Sequence, residues 1–89
     1  MQTLKLTSKD FEQSDSYWKD YIGKEDVSDY GGHIEIEGGL GYVRFAGSIR
    51  AKGHIYAEAG TGIEAGWGIK AGTGIKAGRG IKAGKGIEA

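Results

Sequence analysis

The residues best suited to catalysis are two histidines and a pair of carboxylates. His33 and His54 are the only histidines, and neither has the nearby Cys or His that a zinc site requires. Glu35 and Glu37 would share one face of a strand, about 7 Å apart, which is within reach of a glycosidase pair. Nothing in the sequence marks a cleft or a sugar platform beside them. We therefore interpret these residues as structural or surface residues, and expect no enzymatic activity, no metal and no cofactor.

A second set of candidate residues consists of single residues enclosed by two glycines. They are Thr61, Trp67, Thr73, Arg79 and Lys85. Their Gly-x-Gly tripeptides open no helix and lack the spacing of a dinucleotide-binding or phosphate-binding loop. Trp67 is unusual because a large apolar side chain stands at a turn that should face solvent. A cation packed on its ring would explain it structurally. A partner-binding anchor beside Arg79 and Lys85 would explain it functionally.

These turn residues belong to a six-residue repeat that covers residues 60–89. Ile recurs every six residues from Ile63 to Ile87, and Ala follows each Ile two residues later. Side chains alternate in an extended segment, so Ile and Ala face one side while the Glu or Lys between them faces the other. Paired glycines every six residues suit repeated turns and disfavour a helix. The repeat therefore predicts very short strands, each with one apolar face.

Such strands can bury their apolar faces only by stacking. The predicted fold is mainly β: a single-stranded β-solenoid, or parallel β-helix, with a short N-terminal strand and helix as a cap. Three units per turn are favoured over two because three would place Glu64 beside Lys82 and Lys70 beside Glu88. Two units per turn would place Lys70 beside Lys82, and like charges on neighbouring strands are destabilising. Collagen is excluded because Gly does not recur every third residue and Pro is absent.

Three segments follow from this pattern: an N-terminal cap (1–30), irregular first rungs (31–59) and a regular hexapeptide solenoid (60–89). The middle segment contains apolar-polar-apolar triplets at a looser spacing. This predicts early rungs filled by larger side chains, such as Phe45 and Tyr42.

Two irregularities interrupt the regular spacing. The step from Ile55 to Ile63 is eight residues, which predicts a two-residue insertion within residues 57–61. The sequence stops at Ala89 in the middle of a unit, where a strand would have unpaired backbone groups. We expect either that the chain is a fragment of a longer repeat protein or that this rung pairs with another copy.

The first 30 residues do not share the repeat. Leu4 and Leu6 alternate with polar residues and predict a strand, after which Thr7 or Ser8 could cap a helix. The spacing that predicts this helix is that of Phe11, Asp15, Trp18 and Ile22, with Tyr17 and Tyr21 beside them. These aromatic residues either cover the first rung as a cap or form an exposed set of anchors that includes Trp18 and Tyr21.

Charge and composition limit which partners and which cellular location can be expected. The 12 basic and 12 acidic residues give a formal net charge of zero, which argues against nucleic-acid binding through bulk charge. Residues 1–40 hold nine acids and four bases, and residues 41–89 hold eight bases and three acids. This polarity favours head-to-tail contacts or two different partner surfaces. The chain has no Cys and no run of about 20 apolar residues. We expect a cytoplasmic protein without a membrane partner.

The repeat also resembles a known group of sequences. Residues 64–72, Glu-Ala-Gly-Trp-Gly-Ile-Lys-Ala-Gly, are similar to the Gly-Ile-Lys/Glu-Ala-Gly repeats of small proteins encoded by bacteriophages and prophages. The resemblance is firm over residues 60–89, loose over residues 43–57 and absent from the first 30. In longer relatives a separate segment follows the repeats, which agrees with the fragment interpretation. The resemblance implies a phage context in a bacterial host and supplies no catalytic residue.

We therefore expect a non-enzymatic protein-binding module, such as a phage-encoded inhibitor of a bacterial defence system of the anti-CRISPR type. The candidate partner-binding residues are Trp67, Arg79, Lys85, Trp18 and Tyr21. The first alternative is a structural, self-assembling spacer that forms homo-oligomers through its last rung. The second is a hexapeptide-type acyltransferase using His54. The latter matches only in part, because that family has small residues where this chain has the variable turn residues.

Overall fold

The structure is a computed structural model that describes residues 2–14 and 18–88. The chain forms a β-solenoid of about four turns. In chain order the strands are β1 (Thr3–Leu6), β2 (Phe11–Gln13), β3 (Trp18–Tyr21), β4 (His33–Ile36), β5 (Gly41–Phe45), β6 (Ile49–Ala51), β7 (His54–Ala57), β8 (Thr61–Ala65), β9 (Gly68–Ala71), β10 (Gly74–Ala77), β11 (Ile81–Ala83) and β12 (Gly86–Glu88). Two 3₁₀ helices, Ser8–Asp10 and Val27–Asp29, lie between strands of the N-terminal part.

The strands form three sheets. Sheet 1 has the order β1-β4-β7-β10, sheet 2 the order β11-β8-β5-β3-β2, and sheet 3 the order β12-β9-β6. From β4 onward each turn of the solenoid contributes one strand to each sheet, whereas the first turn contributes β1 to sheet 1 and both β2 and β3 to sheet 2. Neighbouring strands are parallel, except that β2 runs antiparallel to β3. The predicted mainly β solenoid is therefore confirmed.

The register confirms three six-residue units per turn. Ile63 lies beside Ile81, and the two residues are separated by 18 positions. The same register places Glu64 beside Lys82 and Glu88 beside Lys70, as the charge pattern predicted. Opposite charges directly opposed on neighbouring strands are in general worth about 0.2–1 kcal/mol, but among the described residues neither of these two pairs forms an ion pair.

The turns that begin at β4 and β7 are longer than the last turn because the chain adds residues between sheet 1 and sheet 2. The first turn is longer still, because it also contains the antiparallel strand β2 and a long connection from β3 to β4. The extra residues of the second full turn lie between β7 and β8, within the predicted insertion. Gly39 and Gly60 adopt positive φ values of 74° and 86° in successive turns of this kind. The following residue, Thr61, is completely buried, and its side chain bonds to the backbone of the preceding turn.

A single column of apolar side chains fills the solenoid. Ile34, Ile55, Ile63 and Ile69 are all at most 1% exposed, and Phe45 is buried among them as predicted. Tyr42 does not fill a rung, which corrects the expectation for this residue. It precedes the buried Val43 in β5, so the alternation of side chains directs it outward.

The N-terminal segment begins as predicted and then departs from the prediction. Leu4 and Leu6 lie in strand β1, and Thr7 caps a helix, but that helix is a single 3₁₀ turn. The prediction of a longer helix is wrong, because β2 and β3 occupy that part of the chain. Asp15 and Tyr17, which belonged to the predicted helix, lie outside the described residues.

Strand pairing explains why the helical spacing failed. β3 pairs in parallel with β5 and so satisfies an edge that a helix would have left unpaired. The antiparallel pair of β2 and β3 places Phe11 beside Tyr21. Both rings pack on Phe45, with ring centroids 5.8 and 5.2 Å away. The aromatic residues therefore extend the sheet and cover the first rungs.

Within the described ranges, no helix is long and apolar enough to cross a membrane.

Candidate protein-interaction surface

An aromatic cluster lies on the outer face of sheet 2. Trp18 and Tyr42 are neighbours in the parallel register of β3 and β5, with ring centroids 5.4 Å apart. The guanidinium of Arg79 lies 5.5 Å from the centre of the Tyr42 ring, and the Tyr42 hydroxyl donates to the Arg79 carbonyl at 3.4 Å. A Cβ on the next residue in the row, Gly62, would lie 2.7 Å from the Tyr42 ring. Glycine at this position therefore allows the ring to lie against the sheet.

A row of alternating charges runs beside the aromatic cluster. Asp20, Arg44, Glu64 and Lys82 occupy equivalent positions on successive strands of sheet 2. Arg44 bonds to Asp20 through Nε at 2.8 Å, and its guanidinium lies 5.7 Å from the centre of the Trp18 ring. Both partners of this ion pair are more than one third exposed, so the pair adds at most about 1 kcal/mol. Arg44 therefore contacts both the neighbouring carboxylate and the aromatic cluster.

Trp67 lies at the turn between sheet 2 and sheet 3 and is 60% exposed. The ammonium nitrogen of Lys85, one turn of the solenoid later, lies 5.4 Å from the centre of its ring. This is the contact predicted for three units per turn. The backbone of Trp67 is fixed because its amide donates to the Gly47 carbonyl. A Cβ on the preceding Gly66 would lie only 2.3 Å from a backbone oxygen of the earlier turn, so the two turns are closely stacked. A rigid backbone therefore presents a solvent-exposed indole.

The structure groups four of the five predicted binding residues into two sets. Trp67 and Lys85 contact each other, whereas Trp18 and Arg79 both contact Tyr42. Sequence reasoning missed Tyr42 as a surface residue, although its alternation with Val43 was a usable signal.

Tyr21, the fifth predicted residue, belongs to the packing of the N-terminal strands. Its ring packs between Phe11 and Phe45, and its hydroxyl donates to the Glu25 carbonyl at 2.9 Å. Burial, followed by the nearby Asp10 carboxylate, raises the pKa of this phenol above its ordinary value. The interior packing separates Tyr21 from Trp18 and Tyr42, which lie on the outer face of sheet 2.

The two histidines, which are 21 residues apart, lie side by side on sheet 1. Their rings stack with centroids 4.0 Å apart, and the His54 ring stacks on Tyr56 at the same distance. The His54 amide donates to Nδ1 of His33, and Nε2 of His54 lies 2.9 Å from a carboxylate oxygen of Glu35. Glu37 instead accepts a hydrogen bond from a backbone amide at the first 3₁₀ helix. Among the described residues, no group of three or more His, Cys, Asp or Glu side chains is placed to hold a metal ion.

Comparisons of the chain with protein-family models, with curated proteins and with solved structures each gave no match.

Proposed function

We propose that this protein is a non-enzymatic binding module that holds a protein partner on sheet 2 and on the adjoining turn at Trp67. The observation that carries the proposal is the 60% exposure of Trp67 on a backbone fixed by the stacked turns. Trp and Arg are enriched among residues that dominate binding energy. A side chain presented by a rigid ladder loses little conformational freedom on binding, so a few anchors suffice.

The two sets of residues border the same sheet. Arg79 lies in a turn that leads into sheet 2, and Trp67 lies in the turn that follows β8. β8 has five residues, so the two turns are about 17 Å apart at the strand rise of an extended chain. That distance fits within one protein interface of standard size, about 800 Å² per partner. Trp67, Lys85, Trp18 and Arg79 can therefore contact a single partner together.

The resemblance of the repeat to phage and prophage proteins supports a finer proposal. The partner would be a component of a bacterial defence system, and the protein would act in the bacterial cytoplasm as an anti-CRISPR-like inhibitor. Expression in a host with active CRISPR interference should raise the plaque count of a targeted phage. The same host without the CRISPR effector should show no difference.

The experiment that tests the binding surface compares Trp67→Ala with Thr73→Ala. Both positions are enclosed by glycines at turns of the repeat, but Thr73 lies between sheets 3 and 1, away from the proposed surface. Trp67→Ala should weaken partner binding by about 30-fold, as expected for an interface hot spot of about 2 kcal/mol. Thr73→Ala should change it less than twofold. Circular dichroism and melting should be nearly unchanged in both variants. Equal binding by Trp67→Ala and the wild type would refute the proposal.

Self-assembly through the last turn is the second candidate. Ile87 is 49% exposed, and within the described part of the chain β10, β11 and β12 each have a neighbour on one side only. Unpaired strand edges with apolar side chains favour pairing with another chain. Light scattering over a range of concentrations tests this candidate, because self-assembly requires a mass that rises with concentration.

A further inference from the structure

A groove of about 380 Å³ crosses the outer face of sheet 3, the sheet that the proposed binding surface does not include. Gly68 and Gly86 lie at equivalent positions of β9 and β12, and Ser48 lies just before β6. Side chains alternate along these strands, so Ile69 points into the core and Gly68 points outward. Because neither glycine has a side chain, the floor of the groove is largely backbone.

The groove is bordered by three cations. Arg50 and Lys70 occupy directly opposite positions on β6 and β9, and Lys85 lies at the other border, held over the ring of Trp67. Glu88 is the carboxylate that lines the groove, and it lies opposite Lys70. The ion pairs found among the described residues involve neither Arg50 nor Lys70. The groove therefore carries a net positive charge.

The positive charges of Arg50 and Lys70 lie on directly opposed residues, and their repulsion destabilises the folded state. Like charges directly opposite on adjacent strands are destabilising, and the row on sheet 2 avoids this by alternating acids and bases. Departures from such local rules are expected at functional positions. A ligand that brings negative charge between Arg50 and Lys70 would relieve the repulsion.

We propose that this groove binds an acidic, extended polypeptide segment of the partner. The proposal rests on the proposed function, because the groove shares the turn of Trp67 and Lys85 with that surface. Two strand spacings, about 10 Å, separate β6 from β12, which is the length of about three residues of an extended peptide. Two or three carboxylates at this spacing match the three cations. A single-stranded nucleic acid requires a longer basic track, whereas this chain has a formal net charge of zero.

The glycine floor allows the groove to be filled without disturbing the fold. A Cβ at Gly68 would meet its nearest neighbour, a backbone oxygen of Gly86, at 3.4 Å, which is an ordinary contact. Gly74 is the matched control, because it lies at the equivalent position of β10 in sheet 1 and a Cβ there would meet nothing within 4 Å. Gly68→Gln should therefore fill the groove, and Gly74→Gln should place the same side chain elsewhere.

Arg50→Gln separates binding from stability. This substitution removes the like-charge pair and leaves the opposite charges of Lys70 and Glu88 in place. The melting temperature should stay the same or rise, whereas affinity for an acidic ligand should fall. A residue with a purely structural role would not change the two quantities in opposite directions.

The test measures fluorescence anisotropy of a labelled octaglutamate peptide with the full chain at low ionic strength. Arg50→Gln should weaken binding by roughly three- to fivefold, as expected for one exposed charge pair. Gly68→Gln should weaken it by about tenfold or more through steric exclusion. Gly74→Gln should stay within twofold of the wild type. Equal affinity of all four proteins would overturn the proposal. Tighter binding of an oligothymidylate of eight nucleotides than of octaglutamate would also overturn it.

The same variants separate this inference from the proposed function. If Trp67→Ala loses the partner while Arg50→Gln and Gly68→Gln bind partner and octaglutamate as well as the wild type, the binding module stands and the acidic segment is wrong. If Trp67→Ala binds the partner normally while octaglutamate depends on Arg50 and Gly68, the proposed surface is wrong and the groove acts independently of it.

Discussion

Replacement of Thr61 by Val should destabilise the protein more than any change at the proposed binding surface. Thr61 is fully buried where the chain passes from sheet 1 to sheet 2. Its hydroxyl donates to the Glu37 carbonyl at 2.6 Å and accepts from the Leu40 amide at 3.1 Å. One side chain therefore joins two successive turns of the solenoid. Val has nearly the same shape and keeps the methyl group, but it can form neither bond.

The expected loss follows from the two backbone groups that would be left without partners. A buried donor or acceptor left unsatisfied costs about 1–3 kcal/mol. The hydrogen bond from the Leu40 amide is buried, whereas the hydrogen bond to the Glu37 carbonyl is partly buried. Water can therefore reach the Glu37 carbonyl more easily than the Leu40 amide. We expect Thr61→Val to lower the free energy of unfolding by about 2–4 kcal/mol. Thr61→Ser retains both hydrogen bonds and loses one methyl group, so it should cost about 1 kcal/mol.

Thermal unfolding followed by circular dichroism measures both variants. For a chain of this size, 1 kcal/mol corresponds to about 4–8 °C in melting temperature. Thr61→Val should therefore lower the midpoint by about 10–25 °C, and Thr61→Ser by less than about 10 °C. A loss of stability in Thr61→Ser as large as that in Thr61→Val would refute the reasoning, since the hydroxyl would then contribute nothing.

Two further predictions concern the stacking of turns and the cap. Gly72→Ala would place a Cβ 2.0 Å from the Lys52 carbonyl oxygen, so it should lower the free energy of unfolding by about 3 kcal/mol. A Cβ at Gly74 would meet no atom within 4 Å, so Gly74→Ala should leave stability unchanged or raise it slightly. Urea denaturation measures the free energy of unfolding of both variants. Tyr21 has a pKa raised by burial, so its contribution to stability is complete below the ordinary pKa of about 10 and is lost as pH rises through the raised value. Tyr21→Phe should therefore lose less stability than the wild type between pH 8 and pH 11, and equal losses would contradict this assignment.

The regular repeat was predictable because its spacing determines which residues become neighbours. With three units per turn, residues 18 positions apart must lie side by side, and this predicted both the pairing of Glu64 with Lys82 and the contact of Trp67 with Lys85. No tertiary information was required, since each unit has the same length.

The irregular turns were not predictable in the same way. His33 and His54 are 21 positions apart, and Trp18 and Tyr42 are 24 apart, because the added residues lie in turns of different length. Only the folded register brings these rings together. The predicted N-terminal helix was wrong for a related reason, because the parallel pairing of β3 with β5 overrode a local spacing typical of a helix.

The outer faces of sheet 2 and sheet 3 each carry a row of charged side chains, and the two rows differ in whether like charges are neighbours. On sheet 2, acids and bases alternate from Asp20 to Lys82, so like charges are not directly opposed there, and Asp20 and Arg44 form an ion pair. On sheet 3, Arg50 and Lys70 are neighbours, although the same backbone geometry would accept a Glu at either position. The repulsion weakens the sheet, yet it concentrates positive charge above the floor of the groove. Ser48, Gly68 and Gly86 form this floor, and of these three only Ser48 has a polar side chain. A ligand carrying carboxylates would convert this repulsion into two attractive contacts, so binding and folding stability should be coupled through Arg50 and Lys70.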